Sequence, residues 1–135
     1  MLTFVTNRLG QISLVAARRF RAGEVVFKLD FGEFSDCPSL RTIELAPNVH
    51  VDNPWGRYTN HHCDPTCYVD RERKVMRARR DIDIGEEINF DYLQNESSLS
   101  TSFSCHCGAA NCRGFIGAAD SRPSPLRVNK ERRAG

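Results

Sequence analysis

Apolar and polar positions alternate along this chain in short bursts, and none is long. Gln11–Ala17 (QISLVAA) alternates loosely and predicts a strand, followed by a turn at Ala22-Gly23 and a second strand through Val25-Val26-Phe27. Val49–Asp52 predicts another short strand, closed by an Asn53-Pro54-Trp55-Gly56 turn. Cys67–Asp70 and Lys74–Arg79 predict a hairpin around Arg71-Glu72-Arg73, and Glu86–Tyr92 a strand ending in an aromatic hydroxyl. Residues 30–48 are rich in turn formers and read as irregular, while 94–104 (QNESSLSTSFS) read as a polar, Ser-rich linker. No segment carries an apolar stripe at helical spacing. The expected fold class is mostly β, with short helical turns at most.

One strand-turn-strand pattern occurs twice. Arg18-x-Phe20-x-x-Gly23-Glu24-x-Val26 matches Arg80-x-Ile82-x-x-Gly85-Glu86-x-Ile88 position for position. Gly at the same offset gives both turns a backbone freedom that other residues lack. Two copies are too few for a solenoid and predict two similar units within one β domain.

Composition narrows the class. A chain of 135 residues, 40% hydrophobic and 27% charged, suits one globular domain that buries a core without disulfides. No apolar run approaches the ~20 residues of a membrane span, and the N-terminus lacks the basic start and apolar stretch of a secretory signal. The expected setting is intracellular and reducing (cytoplasm, nucleus, or a host cell after delivery), where clustered cysteines hold metal more often than they pair. The net charge of +2 is uneven: residues 118–135 carry five basic and two acidic residues, a net of +3, leaving the body at −1. A body so close to neutral argues against nucleic acid as its main partner, and the tail reads as a disordered, solvated end.

Candidate chemistry gathers in two places. Arg57-Tyr58-Thr59-Asn60-His61-His62-Cys63-Asp64-Pro65 packs amide, imidazole, thiol and carboxylate groups together, a run costly to bury unless partners satisfy it. Cys105-x-Cys107-x4-Cys112 brings three thiols within reach of one ion. Structural Zn²⁺ takes four ligands in a closed tetrahedron, so one more must come from Cys63, Cys67, His106, Cys37 or the His61/His62 pair. Free thiols, a disulfide or an iron–sulfur cluster are the less favoured readings.

These motifs together resemble the SET-domain protein lysine methyltransferases. Residues 57–65 are similar to that family's Arg-Phe-x-Asn-His-Ser-Cys-x-Pro-Asn. Gly85-Glu86-Glu87-Ile88-Asn89-Phe90-Asp91-Tyr92 resembles its Gly-Glu-Glu-Leu-x-Phe-Asp-Tyr, and Cys105-x-Cys107-x4-Cys112-Arg113-Gly114 has the spacing of its post-SET zinc motif. The resemblance implies small curved sheets with a pseudoknot-like threading. It partitions the chain into a SET domain over 1–93, a linker over 94–104, a post-SET zinc motif over 105–117 and a basic tail over 118–135.

The resemblance also implies roles. Tyr92 becomes the active-site tyrosine, and Phe90 and Tyr58 line the substrate channel. Asn60, His61, Arg57, Gly10 and Phe115 lie at the S-adenosylmethionine site, and Cys63 joins Cys105, Cys107 and Cys112 on zinc. The family's Gly-x-Gly cofactor turn is replaced by Gln11 and Ser13, with Gly10 close by, and the second family tyrosine expected near Leu29–Glu33 is missing. The implied activity is S-adenosylmethionine-dependent methyl transfer to a lysine amine of a protein, a histone tail or another. The alternative is a catalytically silent domain of the same fold that binds peptide or cofactor. A domain this small also admits a homodimer that completes its site.

Overall fold

The computed structural model describes residues 1–97, 99 and 102–117; the basic tail expected over 118–135 lies outside the described residues. The chain is mostly β, as the alternation predicts. β1 (Leu2–Thr6) and β2 (Ile12–Ala16) form an antiparallel hairpin. β3 (Val25–Lys28), β9 (Val75–Ala78) and β8 (Cys67–Asp70) form a three-stranded sheet in that order. A second such sheet orders β4 (Glu33–Ser35), β6 (Val49–Asp52) and β5 (Thr42–Ala46). β7 (Asn60–His61) and β10 (Asn89–Phe90) pair in parallel, and β11 (Phe103–Ser104) pairs with β12 (Phe115–Ile116) antiparallel. A single helical turn, α1 (Tyr92–Asn95), follows β10.

Two expectations need correcting. Residues 30–48 are not irregular, because β4 and β5 lie within them. β5 escapes a period-two reading because Ile43, Glu44 and Leu45 are all buried, one after another. Tyr92 does not end a strand: Asp91 caps α1 by accepting a hydrogen bond from Leu93 N, so the backbone turns helical at the tyrosine itself.

The repeated motif folds as a reciprocal pair. Gly23 N donates to Ala78 O and Ala78 N to Glu24 O; in the other copy Gly85 N donates to Ala16 O and Ala16 N to Glu86 O. Phe20 and Ile82 exchange both backbone bonds between the copies. Gly23 and Gly85 sit at φ +86° and +90°, where a side chain is disfavoured. The core lies beneath this pairing and includes Leu14, Phe20, Phe27, Leu29, Ile43, Val51, Met76, Ile82, Ile88 and Phe90.

Beyond β7 the chain departs through β8 and β9 and returns as β10 beside it, which threads the two segments together. Thr66 ties the crossing. Its hydroxyl donates to Glu87 O and accepts from Asn89 N, and Asn89 Oδ1 accepts from Thr66 N. Thr66 and Asn89 are buried, so their mutual bonds also avoid unsatisfied buried polar groups.

Candidate active site

The β7–β10 pair sets the site. Asn60 and His61 run alongside Asn89 and Phe90, and the chain turns at Asp91 into Tyr92. His61 fixes that turn: its Nδ1 accepts from Tyr92 N at 3.0 Å, and its Nε2 lies 3.2 Å from Cys63 Sγ. The ring is almost wholly out of solvent, and burial pushes its pKa down to about 4, which holds it neutral. The imidazole is thus a strut under the tyrosine.

The Tyr92 hydroxyl donates to Thr59 O at 3.0 Å. Burial, reinforced by the Glu96 and Glu87 carboxylates, pushes the phenol well above its ordinary value, so it stays protonated. Phe90, His61 and Phe103 pack around the ring at centroid distances of 4.8, 5.2 and 6.0 Å. The same tyrosine lines a cavity of about 60 Å³ with Thr59, Phe90, Glu96, Leu99 and Phe103.

Other expected site residues fall in two groups. Asn60 Nδ2 donates toward Ile12 O, Ser13 Oγ and Glu87 Oε2 at 3.1–3.3 Å, bridging β2 to the segment before β10. Arg57 lines the cavity and forms a bidentate pair with Asp52 at 3.0 and 2.8 Å. Tyr58 does not line it; it packs edge-on against Phe4, which stacks on Trp55. Gly10 closes the exposed β1–β2 turn at φ +83°. Phe115 lies half-buried on β12 opposite Ser104.

Cys63, Cys105, Cys107 and Cys112 converge, with their sulfurs all within 4.8 Å of one another. Of the other candidates, Cys67 is buried in the main core and Cys37 is exposed, while His61 Nε2 reaches Cys63 Sγ at 3.2 Å but is not one of the four mutually close ligand atoms. The donor set fits a structural zinc, since four thiols close enough for a tetrahedron leave no open position. Burial pushes Cys63 and Cys105 up, whereas at Cys112 hydrogen bonds from Gly114 N and the neighbouring thiols outweigh it and draw the group down to about 7.

Three residues that the sequence reading passed over matter here. Arg113 forms a bidentate pair with the buried Asp91 at 3.0 and 2.7 Å, clamping the cysteine segment to the residue before Tyr92. Phe103 closes the aromatic wall, and Glu96 places a carboxylate in it. Glu96 and Phe103 lie in the polar stretch read as a linker, where no period signals a wall.

A family model described as "SET domain" matches residues 11–93. A histone-lysine N-methyltransferase, H3 lysine-36 specific, from Aspergillus oryzae is 43% identical over 68 residues, covering 46% of this chain and 7% of that protein. Histone-lysine N-methyltransferase ash1 of Drosophila melanogaster is 36% identical over 76 residues, covering 52% and 3%. The chain thus spans less than a tenth of the length of these relatives. Among solved structures, KRYPTONITE in complex with mCHG DNA and SAH superposes with a TM-score of 0.65 at 22% identity, covering 84% of this chain and 28% of that one. A humanized mutant of the Chaetomium thermophilum Polycomb Repressive Complex 2 bound to the inhibitor GSK126 gives 0.54 at 26% identity, covering 70% and 15%. With its Asn60–His61 and Asn89–Tyr92 segments threaded together inside the matched span, this chain belongs to the SET-domain family.

Proposed function

We propose that this chain transfers methyl groups from S-adenosylmethionine to the side-chain amine of a protein lysine, on a histone tail in the nucleus. The observation that carries this reading is the Tyr92 hydroxyl held on Thr59 O, lining a small cavity walled on one side by Phe90, Tyr92 and Phe103 at the crossing of two family motifs. At about 60 Å³ the cavity is far below the ~300–1,000 Å³ that encloses a drug-sized ligand, and suits the end of one alkyl side chain. Tyr92 Oη and Thr59 O offer lone pairs toward a polarised methyl or an amine N–H, beside Arg41 and Arg57, which also line the cavity.

S-adenosylmethionine, when bound, supplies the electrophilic methyl. Asn60, His61, Gly10, Arg57 and Phe115 are the residues proposed to hold it, and Cys63, Cys105, Cys107 and Cys112 to hold Zn²⁺. Phe90, Tyr92 and Phe103 orient the lysine chain and exclude water. A free lysine has pKa ≈ 10.4 and is nearly all ammonium at neutral pH, so an apolar wall that penalises the charge favours the nucleophile. Holding two reactants in line offsets ~7–11 kcal/mol of barrier.

The test is to incubate the protein with S-adenosylmethionine carrying a deuterated methyl and with core histones, then map the products by tandem mass spectrometry. The expected product carries the heavy methyl on a lysine Nε. Heavy label on no lysine, from protein that is folded and binds S-adenosylhomocysteine, would favour the silent-domain alternative.

A further inference from the structure

Two carboxylates stand together beside the cavity, in opposite circumstances. Glu44, on β5 and 1% exposed, receives Ser97 N at 2.7 Å, Ser97 Oγ at 2.6 Å and the Arg71 guanidinium at 3.0 Å. Those bonds hold it below the usual carboxylate range although burial opposes them. Glu96 ends α1, its N–H donating to Tyr92 O at 2.7 Å. One carboxylate oxygen accepts from Glu44 N at 3.0 Å and Asn95 Nδ2 at 2.7 Å, and the side chain lines the same cavity as Tyr92. Burial pushes Glu96 up, and the Glu44 charge adds to the shift. Two carboxylates whose environments drive them apart mark an acid–base assignment. His50 lies with them: one ring nitrogen and an oxygen of each carboxylate fall within 4.8 Å of one another. Arg71 already supplies positive charge to this cluster, so we read it as a seat for a proton rather than a cation.

We propose that Glu96 is the proton acceptor of the site, taking the proton from a substrate ammonium that enters the Tyr92 cavity. This rests on the methyl-transfer reading and deepens it. The N–H bond breaks and its electron pair remains on nitrogen as the nucleophile. Glu96 becomes a neutral carboxylic acid and releases the proton to water between turnovers. An ammonium beside a desolvated carboxylate shares one proton with it, so the pair titrates as a unit. The groups facing Glu96 are Glu44 on β5, His50 on β6, Arg71 between β8 and β9, and Tyr92 on α1, and Arg41, just before β5, and Arg57, between β6 and β7, line the same cavity.

Glu96→Gln keeps the shape and the acceptor for Glu44 N. With labelled S-adenosylmethionine and core histones, its kcat is expected to fall about 10²-fold near pH 7. S-adenosylhomocysteine affinity should be unchanged, and the deficit should fade toward about pH 10, where lysine loses its proton unaided. A deficit that is constant across pH, or no deficit, overturns the proposal. Glu96→Asp, which keeps the acid, should recover part of the loss near neutrality, and equal losses in both variants also count against it. A second readout needs no turnover. A carboxylate with a raised folded pKa costs stability above that pKa and is relieved as pH falls through it. The melting temperature of Glu96→Gln should therefore exceed wild type at alkaline pH and converge on it in acid, and a pH-independent difference contradicts the assignment. Absence of label transfer by wild type sinks the methyl-transfer reading itself, whereas transfer by wild type with an unaltered Glu96→Gln profile sinks Glu96 alone.

Discussion

Asn53 is fully buried, and its side chain satisfies four backbone groups. Nδ2 donates to Lys28 O and Phe31 O at 3.1 Å, and Oδ1 accepts from Trp55 N and Gly56 N at 2.9 Å. It thereby pins the end of β3 to the turn that delivers Arg57 and Thr59 to the cavity. Asn53→Ala leaves those groups unpaired out of water, so a loss of about 3 kcal/mol is expected in urea unfolding. A loss below about 1 kcal/mol would mean that water replaces the amide. From sequence Asn53 was only a turn residue, because local preference reports the bonds to Trp55 and Gly56 but not those reaching back across the chain. Cys63 shows the opposite case: spacing alone left it one of several candidates, and the family resemblance anticipated its place among the three distant thiols. The Asp91–Arg113 clamp was not legible, because an acid and a base far apart in sequence carry no spacing rule.

At the scale of elements, the β8–β9 hairpin was the most legible, with two short apolar-rich arms and a polar turn between. It pairs from Cys67↔Ala78 to Asp70↔Val75, and its turn ends on Lys74 at φ +57°. A side chain in that region costs roughly 1–2 kcal/mol, so Lys74→Gly should raise stability by up to about 1 kcal/mol after the extra unfolded-state entropy of glycine is deducted. The Leu29 N to Lys74 O bond uses only backbone and survives the change. A destabilised hairpin in thermal unfolding would contradict this. β5 and the β7–β10 pair were illegible for different reasons. β5 buries both faces, which erases period two, and a two-residue parallel pair offers no pattern at all.

At the scale of the molecule, the described links of the cysteine lobe to the main body include Cys63 among the three later thiols, Asn111 Nδ2 to Cys63 O, Arg113 to Asp91, and Phe103 against Tyr92 and His61. Its own apolar cluster is small and includes Cys63, Cys105 and Ile116. The proposed zinc therefore supplies much of the lobe's folding free energy, and removing it should open the lobe before the core. Hydrogen exchange after chelation is expected to deprotect Phe103–Ser104 and Phe115–Ile116 while β3, β8 and β9 stay protected. Cys63→Ser should mimic this, and unchanged protection in both would place the fourth ligand elsewhere.

The reciprocal pairing of the two Gly-Glu turns and the threading at Thr66 hold the β7–β10 crossing independently of that lobe, so the tyrosine keeps its backbone address when the lobe loosens. The most direct test of the account is the comparison of wild type with Tyr92→Phe in methyl transfer from labelled S-adenosylmethionine to core histones. The ring and its contacts with Phe90 and His61 are retained, and only the hydroxyl on Thr59 O is lost. A fall in kcat of about 10²-fold is predicted, the size seen when one positioned hydrogen-bonding group is removed, with S-adenosylhomocysteine binding unchanged. Transfer by Tyr92→Phe at the wild-type rate would contradict the central claim.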